Sequence, residues 1–150
     1  MFLRALFAFL ACPGVVALLL PLWISWNRRP AGEPWFSIGL AMLVTGFALL
    51  LWCVRDFHVS GKGTLAPWSP PRNLVVVGLY RYTRNPMYIA VTLMLAGWAL
   101  CFWSQALAIY TCFVVVAFHL RVVFGEEPWL ARTHGNAWDE YKSKVPRWLL

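Results

Sequence analysis

The chain has 150 residues, of which 61% are hydrophobic and 13% charged, with a net charge of +7. A soluble globular domain carries roughly 25% charged residues, so this composition excludes an ordinary water-soluble domain and makes a bilayer the main solvent. The basic excess does not indicate nucleic acid, because the cations flank apolar runs and alternate with aromatics at headgroup level, as membrane topology alone requires.

Residues 5–26 carry no charge. As a helix they would reach ~33 Å, enough for a hydrocarbon core of ~30 Å. No small-x-small cleavage pattern follows, and Pro21-Leu22-Trp23-Ile24 continues the run at full width, so this reads as a retained helix rather than a signal peptide. Residues 35–54 form a second uncharged run of ~30 Å. A Pro- and Gly-rich loop follows, VSGKGTLAPWSPPRNLVVVGLYRYTRNP, in which residues 74–77 are too short for a span and read as an extended segment or surface turn.

Residues 87–120 lack Asp, Glu, Lys and Arg. One helix of that length would reach ~51 Å, too long for a single crossing. Trp103-Ser104-Gln105 interrupts the run, which predicts a hairpin of two helices over residues 86–102 and 105–124. Beyond it, Pro128 starts a short helix that ends at Gly135. Asn136, with Asp139 three residues on, starts another through Lys144, and Pro146 stops it. The fold class is all-α, a multi-pass membrane protein with about four transmembrane helices in one domain. Residues 1–54 act as a helical anchor and residues 72–147 carry the chemistry.

Eleven of the 13 Lys and Arg fall at Arg4, in the loop from Arg55 to Arg84, and from Arg121 to Arg147; only Arg28 and Arg29 lie in the first loop. Four helices put the eleven on one side. By the positive-inside rule both termini and the long loop are then cytoplasmic. The compactness of the chain points to a bacterial inner membrane. Cys12, Cys53, Cys101 and Cys112 all fall in predicted spans with no C-x-x-C, and the three histidines are not grouped with them, so they read as small buried apolar residues.

Polar chemistry gathers at both ends of the predicted hairpin. RYTRNPMYIA, residues 81–90, precedes its first helix. Asn85 suits an N-cap and Pro86 the first helical position. Arg81 and Arg84 can snorkel to phosphates while Tyr80, Tyr82 and Tyr88 form an aromatic belt. A capped helix start beside arginines is also an anion site. At the far end, Glu126 and Glu127 follow a helix C-terminus, where the dipole disfavours negative charge. They need a cationic partner, such as Arg121 or Arg84, or open water. Together the two patches suit a ligand with both an anionic and a cationic group, such as an amino-acid-bearing cofactor.

The ordered motifs GLYRYTRNPMY, EEPWL, HGNAWDEY and VPR, over roughly residues 72–147, resemble the isoprenylcysteine carboxyl methyltransferase family and the related small multi-pass phospholipid methyltransferases. The resemblance implies S-adenosyl-L-methionine bound in a cytoplasmic pocket without a Rossmann fold. It implies cofactor contacts at Arg72, Asn73, Leu74 and Val75, at Tyr80, at Arg84, Asn85, Pro86, Met87 and Tyr88, and at Glu126. It makes Arg121 and Glu127 the catalytic candidates: Glu127 supports the pocket, and Arg121 is the only arginine near the position from which the prenylcysteine enzymes hold a substrate carboxylate. Arg121 lies one position off that alignment, with Val122 at the matching place. Asn85 replaces the family's usual histidine and cannot titrate. The implied partner is a lipophilic substrate entering from the bilayer, with prenylcysteine, a phospholipid amine and other lipophiles all open. Membrane sterol or isoprenoid reductases using NADPH share a similar C-terminal half, and a non-catalytic membrane protein is the remaining class.

Overall fold

The computed structural model describes residues 10–61 and 73–149, with side chains from residue 14 onward. The described residues are all helical or irregular, with no strand among them. π-Helical turns over Leu10–Leu19 run into an α-helix over Leu20–Ser25, together α1. Then come α2 (Trp35–Gly61), a 3-10 turn (Gly78–Arg81), α3 (Pro86–Cys101) and α4 (Gln105–Arg121). A π turn over Val122–Glu126 carries α4 into α5 (Glu127–His134), and α6 (Asn136–Lys144) follows.

Two helical stretches are long and apolar enough to cross a membrane by themselves, Trp35–Gly61 and Gln105–His134. That is fewer than the four expected. α3 has 16 residues, or ~24 Å, short of a ~30 Å hydrocarbon core. The apolar stretch Gly14–Ser25 is also short, and residues 5–9 lie outside the described residues. The second helix runs seven residues past its expected end at 54, because Arg55, Asp56 and His58 continue it into the polar region. An uncharged run marks the apolar part of a helix, not its hydrogen-bonded end.

The hairpin break falls where expected. Trp103 turns the chain with φ of 44°, and the buried Ser104 accepts a hydrogen bond from the Leu107 N–H at 3.4 Å as cap of α4.

α2 and α3 are packed through glycine. A Cβ placed on Gly39 would lie 2.7 Å from the Gly97 carbonyl oxygen and the Cys101 amide nitrogen. One on Gly46 would lie 2.8 Å from the Ala90 carbonyl oxygen. These are backbone atoms and cannot move aside. The two helices therefore touch backbone to backbone, which is how helices gain dispersion energy in a solvent as apolar as their own side chains. Leu50, Ala90, Val91, Met94 and Leu95 close the core around this crossing.

α1 is held differently. Pro21 brings no N–H to its helix, which leaves carbonyls one turn earlier without an intrahelical donor. Ala17 O accepts from Trp98 Nε1, and Val16 O from the Tyr110 hydroxyl, both at 3.0 Å. In lipid every such group must find a partner within the protein. At the end away from α3's start, Trp23, Trp26, Trp35 and Trp103 are exposed, as an interfacial belt requires. Cys53 and Cys101 are buried as expected, but Cys112 is exposed on the outer face of α4.

The glycine crossing generates a direct test. Alanine normally favours a helix over glycine by ~1 kcal/mol. At Gly39 the overpacking term of about 1–3 kcal/mol should outweigh it. Gly39→Ala is expected to lower the melting temperature in detergent. Gly125→Ala, whose Cβ meets nothing within 4 Å, should leave it unchanged or raised.

Candidate functional site

The site forms where the start of α3 meets the end of α4. Gly78 opens the 3-10 turn with φ of +57°, a conformation that favours glycine. Tyr80 is buried against Cys53 and Val75, and its carbonyl accepts from the Tyr141 hydroxyl at 2.7 Å. Burial pushes the Tyr141 phenol up to about 12, with Arg84 pulling the other way.

Residues 83–85 are clamped by the segment after α6. The Arg84 N–H donates to Pro146 O at 3.0 Å, the Thr83 hydroxyl to Arg147 O at 3.2 Å, and Asn85 Nδ2 to Arg147 O at 3.0 Å. Pro86 opens α3 at its first position as expected, but Asn85 makes no side-chain cap bond. Its amide is spent on Arg147 instead, and the Thr83 hydroxyl accepts from the Asn85 N–H at 3.3 Å. Nor does Asn136 cap α6: it is the first helical residue, and Gly135, with φ of 49°, stands at the cap.

The two glutamates separate into two environments. Glu127 is enclosed. Arg84 Nη1 donates to Oε1 at 2.8 Å, and Arg147 grips both oxygens at 2.8 Å through Nε and Nη2. Side-chain exposure is only 9% for Arg84 and 13% for Glu127, so this is a buried node. The Arg84 guanidinium also sits 5.5 Å from the centre of the Trp138 ring. Burial tends to raise the Glu127 carboxyl, but the bonds from Arg147 and the charge of Arg84 outweigh it and hold it below its usual range.

Glu126 stays open, at 36% side-chain exposure. The Tyr88 hydroxyl donates to its Oε1. Arg121 Nε donates to the same oxygen at 2.9 Å and to the Tyr88 hydroxyl oxygen at 3.2 Å. Both partners of the carboxylate use Oε1, which keeps Oε2 outside these bonds. The π turn makes this possible: Glu127 N–H donates to Val122 O, one residue further back than in an α-helix. Arg121 faces the acids although Val122 held the aligned position; Val122 is buried at 1% exposure.

Tyr88, Arg121, Glu126, Glu127, Arg84 and Asn85 are thus brought together. Asn73 lies apart, its N–H donating to Gly61 O at the end of α2. Leu74 packs beside Trp138, Tyr141 and Val145, and Val75 is buried beside Cys53. Met87 packs between the two inner clusters. Arg72 lies outside the described residues. Sequence reasoning missed Arg147, Trp138 and Tyr141 as site builders. The signals were present: a cation after Pro146 opposite two acids, and two aromatics three residues apart on an otherwise polar helix.

Removing the Glu127 carboxylate strands two guanidinium groups, one of them buried. Glu127→Ala should cost about 3–5 kcal/mol and show as a large drop in melting temperature. Its carboxyl is depressed in the fold, so its contribution is present above the ordinary carboxyl range of ~4.3 and is lost as pH falls below that. Melting curves of the parent chain should therefore fall on acidification through that range, and Glu127→Gln should flatten that part of the dependence.

The sequence profile described as phospholipid methyltransferase matches residues 35–137. The match takes in α2 to α5, hence the glycine-packed pair, the start of α3 and both glutamates. No curated protein and no solved structure matches the chain. By the extent of that match and the motifs inside it, the chain belongs to the phospholipid methyltransferase family, a family of membrane methyltransferases.

Proposed function

We propose that the protein transfers a methyl group from S-adenosyl-L-methionine to a lipophilic acceptor at the cytoplasmic membrane face. The observation that carries this reading is the open Tyr88–Glu126–Arg121 cluster beside the closed Arg84–Glu127–Arg147 node, at one end of an apolar hairpin.

The residues fit the cofactor. Three arginines against two glutamates leave one positive charge for a carboxylate. Arg84 Nε is a buried donor with no partner among the described residues. Glu126, with Oε2 outside its two bonds, suits a cation. When bound, S-adenosyl-L-methionine supplies a methyl group on a positively charged sulfur. The chain has to orient that methyl toward the acceptor and exclude water, which the helix ends and Tyr88 do by position. A carboxylate acceptor needs no base. Glu127, enclosed by two arginines, serves by holding Arg84 rather than by moving a proton. Leu74, Val75, Tyr80, Pro86 and Met87 complete the cofactor side in this reading, with Val75 and Tyr80 forming its buried backing.

The chain crosses the membrane four times in this reading, with both termini cytoplasmic. The short α3 is accommodated by local thinning of the bilayer and by long basic side chains at its start. A lipophilic acceptor enters sideways from the bilayer, its reactive head at the level of Tyr88.

Two measurements test these statements. Calorimetry on detergent-purified protein should show binding of S-adenosyl-L-methionine and none of NADPH. Glu126→Gln and Tyr88→Phe should each weaken it by about tenfold or more, the scale of a hydrogen bond to a charged group. Binding of NADPH alone would replace this reading with a reductase. For topology, a cysteine at Gly32 should react with an impermeant maleimide in intact cells, and one at Ser143 only after permeabilisation. Reaction of both in intact cells would sink the four-crossing arrangement.

A further inference from the structure

The end of the hairpin away from the glutamates carries two grooves that methyl transfer does not use. α4 puts 17 residues, or ~25 Å, between the two ends. One groove, of about 610 Å³, follows the end of α1 and is walled by Trp23, Ile24, Trp26 and Asn27. The other, of about 450 Å³, lies at the start of α4 and is walled by Trp103, Gln105, Ala106 and Ile109. Both fall within the ~300–1,000 Å³ of ordinary ligand clefts. Arg28 borders both of them.

The loop under Arg28 is tied at two points. The Arg28 N–H donates to Ser25 O at 2.9 Å, and three residues on the Ala31 N–H donates to Cys101 O at 2.7 Å. Arg28 itself is exposed, and it enters none of the ion pairs among the described residues. The acid of the same loop, Glu33, accepts from the Ser37 hydroxyl at 2.6 Å instead. Two arginines, Arg28 and Arg29, against one glutamate leave the loop with one positive charge. No acid lines either groove among the described residues. The amides of Asn27 and Gln105 add donors beside the guanidinium, while Ile24, Ala106 and Ile109 are apolar. A phosphodiester suits the guanidinium, whose fork binds phosphate through two parallel N–H bonds. Hydrocarbon suits the grooves. A soluble anion would use the arginine and leave the apolar walls uncovered.

We propose that Arg28 seats the headgroup phosphate of an anionic phospholipid, with an acyl chain in the groove on either side. The surplus charge of the loop matches a lipid of one net negative charge, such as phosphatidylglycerol, better than a zwitterion. Tryptophans on both sides set the depth, since indoles settle at the headgroup level. A lipid held this way bridges the end of α1 and the start of α4. The seat is separate from the glutamate clusters and does not rest on the methyltransferase reading.

Native mass spectrometry of the full chain released from detergent, with phosphatidylglycerol titrated against phosphatidylethanolamine, tests this. The parent chain should retain phosphatidylglycerol in preference. Arg28→Gln should lose about tenfold or more of that affinity, and Arg28→Lys, which keeps the charge without the fork, a smaller amount. Arg29→Gln makes the same charge change outside both grooves and should lose less than about twofold. Ala106→Trp fills the second groove without altering the arginine and should also lose about tenfold or more. Equal losses at Arg28 and Arg29 would reduce the effect to diffuse surface charge and overturn the proposal. So would unchanged binding in Arg28→Gln or Ala106→Trp, or displacement of the lipid by inorganic phosphate, which would mark a free-anion site. Binding of S-adenosyl-L-methionine should be the same in Arg28→Gln as in the parent, so each reading stands or falls on its own measurement.

Discussion

Glu127 is the interaction on which this end of the molecule depends. Its two oxygens take three hydrogen bonds from two guanidinium groups, one from the segment before α3 and one from the segment after α6. The carboxylate joins those two segments by charge, beside the hydrogen bonds that Pro146 and Arg147 carbonyls accept from residues 83–85. A buried ion pair is often a poor source of net stability, because the desolvation of its members offsets their attraction. Its value here is geometric. Bidentate binding fixes the plane of Arg147, and Arg147's carbonyl then fixes Thr83 and Asn85. With those positions set, Tyr88 emerges from the first turn of α3 at the height of Glu126.

The remainder of the fold meets the bilayer constraint by two unlike means. α2 and α3 remove side chains where they cross, so their backbones make the contact. α1 keeps its bulk and is attached through carbonyls that a proline has left free. The first device depends on shape and is sensitive to a single methyl group. The second depends on hydrogen bonding, which in hydrocarbon has no competing water. Both leave the end of the hairpin where α3 starts free of core-packing duties, and the polar residues are gathered there.

Much of this was legible in the sequence. The helical hairpin, its break at residues 102–104 and the meeting of residues 81–90 with the glutamates follow from one long uncharged run with polar residues at its middle and both ends. Helix ends were less legible. Arg55, Asp56 and His58 look like a loop by charge, yet they extend α2, because hydrogen bonding along a helix does not stop where the bilayer does. The cap expected at Asn85 failed because its amide has a better partner, a carbonyl 62 residues away that no local pattern reveals. The offset between Arg121 and Val122 was visible, but its resolution required the π turn, whose one-residue shift leaves no mark in composition. The division of labour between adjacent, identical glutamates was likewise invisible, since it is decided by which arginine arrives from elsewhere in the chain.

The clamp of residues 83–85 by residues 146–147 also sets an order of events during synthesis. α3 is synthesised long before its clamp has been made, so Arg84 begins with its charge unpaired. Only after α4, α5 and α6 have followed does Arg147 appear, and Glu127 can then draw both arginines inward. The same guanidinium is thus first a free charge and later a structural link. A cluster assembled this way has no counterpart in a nascent chain that stops short of Arg147.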